Sequence, residues 1–170
     1  MTTATDAIRH ACTAQARIDT PLGPLLLART KRGLAGAWFE GQRHHPPVFD
    51  APFDADDECL AAAAAQLAAY FDGKATTFDV PCDMLGTPFQ RAVWDALLAI
   101  PHGSTRTYAD LARTIGAPAA VRAVGAAVGR NPLSIVVPCH RVVGSDGSLT
   151  GYAGGTDRKA ALLALERARA

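Results

Sequence analysis

The chain has 170 residues, with 17 Lys and Arg against 16 Asp and Glu, which gives a formal charge of +1. A chain of this length forms one large domain or two small ones, and it buries enough surface to fold without disulfides or a metal. The charge is uneven, since residues 1–86 carry 7 Lys and Arg against 11 Asp and Glu (net −4), and residues 87–170 carry 10 against 5 (net +5). The second half is therefore a candidate to bind an anionic partner.

Nothing in the sequence predicts a membrane protein or a secreted one. The longest stretch without a charged residue covers the 13 residues 59–71. That is well short of the roughly 18 needed to cross a bilayer. The first fifteen residues contain Asp6 and Arg9 and no apolar run, so we expect a loose, flexible tail over residues 1–14 and no secretion signal. A cytoplasmic protein without a membrane partner is predicted.

The four cysteines, at positions 12, 59, 82 and 139, lie far apart and form no C-x-x-C pair. In a reducing compartment we expect all four thiols to be free. His10, His44 and His45 lie in the same half as three of the cysteines, which leaves a zinc site open, but none of the spacings is typical of one. We therefore expect neither a metal nor a cofactor.

The first half, residues 1–86, is predicted to be a small α+β domain. Short apolar runs between turn residues indicate an antiparallel meander over residues 15–40. The segment 41–52 contains a Pro-Pro pair and is expected to be a loop. An acidic stretch over residues 54–58 then precedes an alanine-rich helix, and the acidic side chains complement the positive end of its dipole. That helix is predicted to end at Phe71.

The second half, residues 87–170, is predicted to be a mostly helical domain. A first helix opens at Pro88 and ends before Pro101. We expect its large apolar side chains to face the core, namely Phe89, Val93, Trp94, Leu97, Leu98 and Ile100. Two short helices follow, one after the N-cap Thr107 and one from Pro118. A Gly-Ala-Pro turn joins them, which is typical of a helix-turn-helix motif.

The second helix of this motif carries almost no bulky side chains, and Arg122 is its only charged residue. One interpretation is a buried helix that packs tightly through small residues. The other is a bare surface that lets the helix backbone approach DNA closely while one arginine reaches into the base stack or the groove. Reading a base sequence requires several polar side chains. Sequence-specific recognition is therefore not expected.

A candidate reaction site lies around Cys139. The apolar run over residues 133–137 is predicted to be a strand that ends next to this cysteine. A buried lone cysteine is most often inert packing. However, the neighbouring His140 and Arg141 can favour the thiolate, which is the nucleophilic form. Asn131 is of a residue type that fixes turns through local hydrogen bonds.

Three sequence blocks in the second half resemble those of a known family. They are Phe89-Gln90-x-x-Val93-Trp94-x-Ala96-Leu97, the run from Asn131 through Pro138-Cys139-His140-Arg141, and Gly151-Tyr152-Ala153-Gly154-Gly155. On these blocks the chain resembles the methylated-DNA:protein-cysteine methyltransferases, or O6-alkylguanine-DNA alkyltransferases, of the bacterial single-function type. The resemblance is close over residues 87–167 and loose in the first half, for which it implies a ribonuclease H-like fold.

The resemblance implies DNA repair by direct reversal, with double-stranded DNA as the partner and a monomeric protein. The alkyl group of O6-alkylguanine, and of O4-alkylthymine, would move to Cys139 after the damaged nucleotide is flipped out of the duplex. The site residues that it implies are the catalytic Cys139, His140, Glu166, Asn131 and Tyr108, the DNA-binding Arg122, Tyr108, Ala123 and Gly125, and, around the substrate, Tyr152, Ala153, Lys159 and Val142.

The resemblance also assigns roles within this set. His140 would take the proton of Cys139 through a water, and Glu166 would orient the histidine. Tyr108 would flip the nucleotide and help to protonate the leaving base, while Arg122 would fill the vacated stack. From the sequence alone, Glu166 can also be interpreted as an exposed helix residue, because spacing does not bring it to His140.

The chemistry of these residue types agrees with a transfer reaction. A thiolate is a strong nucleophile towards an alkyl carbon, and a tyrosine or a backbone amide can assist the departing oxygen. The product is a thioether, which water does not open, so we expect one turnover per molecule. Two other functions stay open, a non-catalytic helix-turn-helix protein that binds DNA or its lesions, and a cysteine hydrolase built on Cys139, His140 and Glu166.

Overall fold

A computed structural model of the chain describes residues 2–170, which begin with a short helix and a three-stranded sheet. The helix is α1 (Ala4–Ala11), and the strands are β1 (Cys12–Ile18), β2 (Leu25–Thr30) and β3 (Gly33–Phe39). The strands are antiparallel in the order β1-β2-β3, and every residue of β3 is buried. The predicted meander is confirmed.

The predicted loose tail over residues 1–14 is wrong, because most of it is α1 and the start of β1. Thr3 and Asp6 cap the helix reciprocally, since each side chain accepts a hydrogen bond from the backbone N–H of the other. Ile8 is fully buried and packs in a cluster with Trp38. This tertiary contact stabilises a helix that is too short to be stable alone. The first residue of the chain lies outside the described part.

Helix α2 (Glu58–Phe71) covers one face of the sheet and ends where the sequence predicts. Asp57 caps it by accepting a hydrogen bond from the N–H of Leu60. One face of the helix is buried, through Leu60, Ala63, Leu67 and Tyr70. The preceding segment 41–52 contains neither helix nor strand, as expected.

Helix α3 (Pro88–Leu98) has Pro88 in its first turn, and Thr87 and Gln90 form a capping box. Its buried side chains are Val93, Trp94, Ala96 and Leu97, and Ile100 is buried just after its end. Phe89 and Leu98 are 37% and 49% exposed, so their assignment to the core is wrong. The core-facing stripe runs along the middle of the helix and leaves these two terminal positions at its side.

The helix-turn-helix motif consists of α4 (Tyr108–Thr114) and α5 (Val121–Gly129). Thr107 caps α4 through a reciprocal pair of hydrogen bonds with Asp110, as predicted. Helix α5 starts three residues later than expected, because Pro118 lies in a turn that closes with an N–H to carbonyl bond from Ala120 to Ala117. Two short parallel strands, β4 (Arg106–Thr107) and β5 (Val142–Val143), lie beside the motif.

The predicted strand over residues 133–137 is wrong, since this segment is a compact turn. The side chain of Asn131 accepts a hydrogen bond from the N–H of Leu133 at 2.9 Å and donates one to the carbonyl of Val137 at 2.8 Å. Ile135 adopts a φ of 72°, a left-handed conformation that is strained for a β-branched residue. The turn leads into one turn of 3₁₀ helix over Cys139–Arg141.

The two halves share one hydrophobic core, to which the sheet, α2 and α3 contribute together with the last helix, α6 (Thr156–Arg167). The predicted α+β fold class, with a small N-terminal antiparallel sheet and a mostly helical C-terminal part, is confirmed. Among residues 2–170, no helix is both long and apolar enough to cross a bilayer.

Candidate active site

Cys139 begins the 3₁₀ turn and is 5% exposed, inside the shared core. The turn is held from behind by Asn131, which is itself buried and bonded to the backbone on both sides of the segment that precedes the cysteine. The N–H of Arg141 closes the 3₁₀ turn on the carbonyl of Pro138 at 3.0 Å. The thiol is therefore presented by a rigid backbone and not by a mobile loop.

His140 and Glu166 form a buried pair at the next position. Both residues are 0% exposed, and Nε2 of His140 lies 2.6 Å from Oε1 of Glu166. The interpretation of Glu166 as an exposed helix residue is therefore wrong. The second ring nitrogen of His140, Nδ1, is also buried and has no hydrogen-bond partner among residues 2–170. It remains available to accept a proton.

Arg141 and Tyr70 complete the surroundings of Glu166. Arg141 donates from Nε to Oε2 and from Nη2 to Oε1, both at 2.9 Å, and its Nη1 donates to the carbonyl of Ile100 at 2.7 Å. The hydroxyl of Tyr70 donates to Oε1 at 2.8 Å. We call Tyr70, His140, Arg141 and Glu166 the Glu166 cluster.

The electrostatics of the cluster favour a neutral histidine beside an ionised carboxylate. Burial opposes ionisation of Glu166, but hydrogen bonds from His140 and Arg141 outweigh it and hold the pKa of this carboxyl far below its usual range. Burial lowers the pKa of His140, although Glu166 acts in the opposite direction. The imidazole is thus a base that is ready to be protonated and a carboxylate is in place to stabilise the resulting charge.

The sequence predicts that His140 and Arg141 both favour the thiolate of Cys139, and the structure differs for Arg141. Arg141 faces Glu166 and not the thiol. Burial raises the pKa of the Cys139 thiol, and the side chains of Asn131 and Lys159 only partly offset that effect. The cysteine therefore rests as a thiol, and its proton has to be removed before the sulfur can act as a nucleophile.

Tyr108 and Lys159 meet on the other side of the cysteine. The Tyr108 hydroxyl and the Lys159 ammonium each donate to the carbonyl of Thr150 at 3.0 Å. Burial raises the pKa of Tyr108 and the proximity of Cys139 raises it further, so its hydroxyl stays protonated. Gly151 permits this close approach, because it has a φ of +71° and a Cβ there would lie 3.1 Å from the Tyr108 hydroxyl.

The segment over residues 150–155 forms a wall beside the thiol and is anchored to two loops of the N-terminal half, one between β1 and β2 and one after β3. Tyr152 is buried, and Gly154 leaves space for its ring, since a Cβ would lie 2.7 Å from it. The carbonyl of Ala153 accepts a hydrogen bond from the N–H of Arg43 at 3.0 Å. Arg158 donates to the carbonyls of Leu22 at 2.8 Å and Gly154 at 3.0 Å.

Helix α5 is packed on one side and exposed on the other. Its inner side packs through small residues, and the indole N–H of Trp94 donates to the carbonyl of Ala127 at 2.9 Å. Its outer face is exposed and nearly bare; we define this outer face of α5 as Arg122, Ala123 and Ala126. Gly125 lies on the side of α5 that faces the Tyr108 ring, and a Cβ at this position would sit 3.9 Å from Cδ1 of Tyr108.

The structure thus brings together Cys139, His140, Glu166, Asn131, Tyr108, Tyr152 and Lys159, and it places α5 beside them. Val142 is fully buried in β5, directly after the 3₁₀ turn.

Sequence analysis missed Tyr70 and Arg158. Their contacts to Glu166 and Leu22 span 96 and 136 residues along the chain, so no local pattern indicates them. Within residues 2–170, no group of three His, Cys, Asp or Glu side chains is arranged to hold a metal ion.

A helix-turn-helix next to a rigidly held cysteine, with a buried His-Glu pair behind it, defines a class of DNA-binding proteins with a reactive thiol. Comparison with known proteins specifies the class further. The family model for the 6-O-methylguanine DNA methyltransferase DNA-binding domain matches residues 88–168, and that for the ribonuclease-like domain of the same enzymes matches residues 15–84. The chain belongs to the 6-O-methylguanine DNA methyltransferase family.

Individual relatives agree with this assignment. A methylated-DNA–protein-cysteine methyltransferase of Mycobacterium tuberculosis is 50% identical over 153 residues, which cover 90% of this chain and 92% of the relative. One from Methanosarcina barkeri is 49% identical, over 88% of this chain and 94% of the relative. The crystal structure of M. tuberculosis O6-methylguanine methyltransferase superimposes with a TM-score of 0.84 at 49% identity, covering 92% of this chain and 94% of that one.

A structure of the M. tuberculosis protein in complex with DNA is also similar, with a TM-score of 0.82 and 49% identity over 93% of this chain and 95% of that one. The predicted family and the predicted activity, a DNA-repair methyltransferase that transfers alkyl groups, are confirmed by these matches. DNA is its partner. The non-catalytic DNA-binding alternative finds no support.

Proposed function

We propose that this chain repairs O6-alkylguanine in duplex DNA by transferring the alkyl group, once and irreversibly, to Sγ of Cys139. The observation that carries the proposal is the position of this buried thiol beside the His140–Glu166 pair. The same chemistry suits an alkyl group on O4 of thymine, which is also an ether carbon on a base. No cofactor or metal takes part in the proposed reaction.

The first step is removal of the thiol proton. Because burial raises the pKa of Cys139, the proton must pass to a base, and Nδ1 of His140 takes it through a bridging water. Glu166, ionised and bonded to Nε2, stabilises the imidazolium that forms. Asn131 keeps the cysteine in place by bracing the turn that precedes it.

The second step is the transfer itself. The thiolate attacks the alkyl carbon, the bond between that carbon and O6 breaks, and its electron pair stays on the guanine. The base gains a proton from the hydroxyl of Tyr108, and the proton that His140 took from the thiol passes to the phenolate. Tyr108 and His140 thus return to their starting forms, and the net result is one proton lost by the thiol and one gained by the guanine. Support comes from Tyr108, whose pKa is raised by burial and whose hydroxyl donates to Thr150 at the start of the wall that contains Tyr152 and Ala153. Lys159 donates to the same carbonyl.

Access to the base requires that the nucleotide leave the helix. Extrusion of a base costs a few kcal/mol, and a distorted lesion pair reduces that cost. The bare outer face of α5 suits close approach of the helix to the DNA, because Ala123 leaves the helix backbone accessible and Arg122 can fill the vacated stack. Gly125 contributes by leaving space beside Tyr108, the residue proposed to flip the nucleotide. The net charge of +5 over residues 87–170 suits binding to phosphates.

We also propose that the chain divides into an N-terminal unit, residues 1–86, and a DNA-binding and alkyl-accepting unit, residues 87–170. A monomer suffices, because the thiol, the Glu166 cluster and α5 all belong to one chain. Four free cysteines suit the reducing conditions of the cytoplasm, where we place the protein.

The experiment is a count of methyl groups transferred from an excess of duplex DNA that contains radiolabelled O6-methylguanine. We expect uptake to rise to one methyl per protein molecule and stop, because a thioether is not hydrolysed. A matched control is Cys82→Ser, which removes an exposed thiol and should leave the count unchanged. Continued turnover on an acyl ester would support the cysteine hydrolase instead, and tight DNA binding without uptake would contradict the proposal.

A further inference from the structure

Glu166 receives hydrogen bonds from three separate parts of the chain. His140 and Arg141 lie on the 3₁₀ turn, and the N–H of Gly103 follows α3 and donates to Oε2 at 3.3 Å. The remaining donor is Tyr70, on α2, which belongs to the N-terminal half. It is the one side chain of that half seen to bond to the carboxylate among residues 2–170. The proposed function gives this contact no role.

The hydroxyl of Tyr70 is held firmly in its position. The residue is 1% exposed, and its ring packs against Phe71, Phe78 and His102, with centroids 5.4, 5.7 and 6.2 Å away. Burial, followed by the negative charge of Glu166, raises the pKa of Tyr70 far above its usual range. The hydroxyl is therefore a permanent donor to Oε1 at any pH at which the protein works.

We propose that Tyr70 is a positioning residue for the transfer reaction, through which the N-terminal half sets the strength of the Glu166–His140 hydrogen bond. This inference rests on the proposed function, since it assumes that His140 takes the thiol proton. The hydroxyl of Tyr70 bonds to Glu166 and not to the thiol. It acts through the carboxylate oxygen that also faces Nε2 of His140.

The direction of the effect follows from competition for one oxygen. Oε1 accepts from Tyr70 at 2.8 Å, from Nη2 of Arg141 at 2.9 Å and faces Nε2 of His140 at 2.6 Å. A donor that binds the carboxylate draws its charge away from the histidine, so the imidazolium is stabilised less. Loss of the Tyr70 hydroxyl leaves a stronger acceptor for Nε2–H, and the pKa of His140 rises.

Other ionisable groups also face His140 and Glu166, and replacement of Tyr70 leaves them unchanged. From the 3₁₀ turn these are Cys139 and Arg141, and from α6 Lys159, whose charge acts on His140. Tyr70 also raises the pKa of Tyr152, and His102 packs on the edge of the Tyr70 ring. A change confined to the Tyr70 hydroxyl therefore reports on a single donor among these groups.

The test is the pH profile of single-turnover methyl transfer by the full chain, measured for the wild type and for Tyr70→Phe. Transfer requires neutral His140, so the rate falls as pH drops through the pKa of that residue. We call this falling part of the profile the acid limb. For Tyr70→Phe we expect this acid limb to move to higher pH by about half a unit, with a plateau rate within about threefold of the wild type. A purely structural role for Tyr70 would lower stability and leave the limb in place.

The matched control is Leu60→Val, which removes one methylene from a buried position of the same helix, ten residues before Tyr70, and changes no hydrogen-bonding group. It should lower the stability of the N-terminal half and leave the acid limb where the wild type has it. A Tyr70→Phe profile that superimposes on the wild-type profile would overturn the inference. A wild type that transfers no methyl group would instead overturn the proposed function.

A second variant covers the case in which Tyr70→Phe does not fold. Site-specific replacement of Tyr70 by 3-fluorotyrosine keeps the hydroxyl and makes it a stronger donor, because fluorine acidifies the phenol. The acid limb should then move in the opposite direction, to lower pH. An unmoved limb in this variant contradicts the inference as directly as an unmoved limb in Tyr70→Phe.

Discussion

The Glu166 cluster and the outer face of α5 are built in opposite ways. The cluster holds Tyr70, His140, Arg141 and Glu166 almost without solvent contact, and its polar groups are joined by hydrogen bonds. The outer face of α5 is exposed and consists of two alanines and one arginine. A proton acceptor needs fixed partners, whereas a helix that approaches DNA needs clearance. On the proposed function, the difference teaches that charged groups are buried where a proton has to be transferred, and that bulky side chains are missing where the helix has to approach DNA.

Of the changes that test this difference, Glu166→Gln is expected to have the largest effect on stability and on the transfer rate. It keeps the shape of the cluster and removes its negative charge. Arg141 would remain buried without a counter-charge, and loss of one partner of a buried ion pair costs about 3–5 kcal/mol of unfolding free energy. Transfer should slow by about a hundredfold, because the imidazolium of His140 loses its stabilising partner. Urea unfolding and single-turnover kinetics measure the two effects.

The control for this variant is Arg167→Gln, the exposed neighbour of Glu166 on α6. It should change the unfolding free energy by no more than about 0.5 kcal/mol. If Glu166→Gln behaved like this control in both measurements, the cluster would have no role in stability or in proton transfer.

A smaller effect is expected from Ala123→Leu, which adds bulk to the outer face of α5. The side chain points to solvent, so the unfolding free energy should stay within about 0.5 kcal/mol of the wild type. Affinity for duplex DNA should fall by roughly tenfold, because the helix backbone can no longer approach the groove as closely. Fluorescence anisotropy with a labelled duplex, at fixed salt, measures this affinity.

Ala160→Leu is the matched control, since it adds the same side chain to an exposed position of α6, away from the outer face of α5. It should leave DNA affinity unchanged. Equal affinities for the two leucine variants would mean that α5 is not the surface that contacts DNA.

Much of the fold could be predicted because its signals are local. The meander follows from alternating apolar runs and turn residues, and α4 follows from the Thr107–Asp110 capping box. Helix α1 was missed, because its stability comes from burial of Ile8 beside Trp38, 30 positions further along the chain. The segment 133–137 is apolar like a strand, but the Asn131 side chain folds it into a turn.

The site shows the same division between local and distant information. Cys139 and His140 are indicated by their own sequence block, and the resemblance adds Glu166. What the sequence does not indicate is that Arg141 faces Glu166 and not the thiol, or that Tyr70 reaches the same carboxylate from α2. Both facts depend on how α2, α6 and the 3₁₀ turn pack together.

The most direct measurement of the central claim is the mass of the Cys139 peptide after the protein has reacted with methylated duplex DNA. We predict that this peptide becomes heavier by one CH₂ unit, that the peptides containing Cys12, Cys59 and Cys82 do not, and that Cys139→Ser binds DNA but takes up nothing. Methyl uptake by Cys139→Ser, or an unchanged Cys139 peptide in a protein that has removed methyl groups from DNA, would contradict the account.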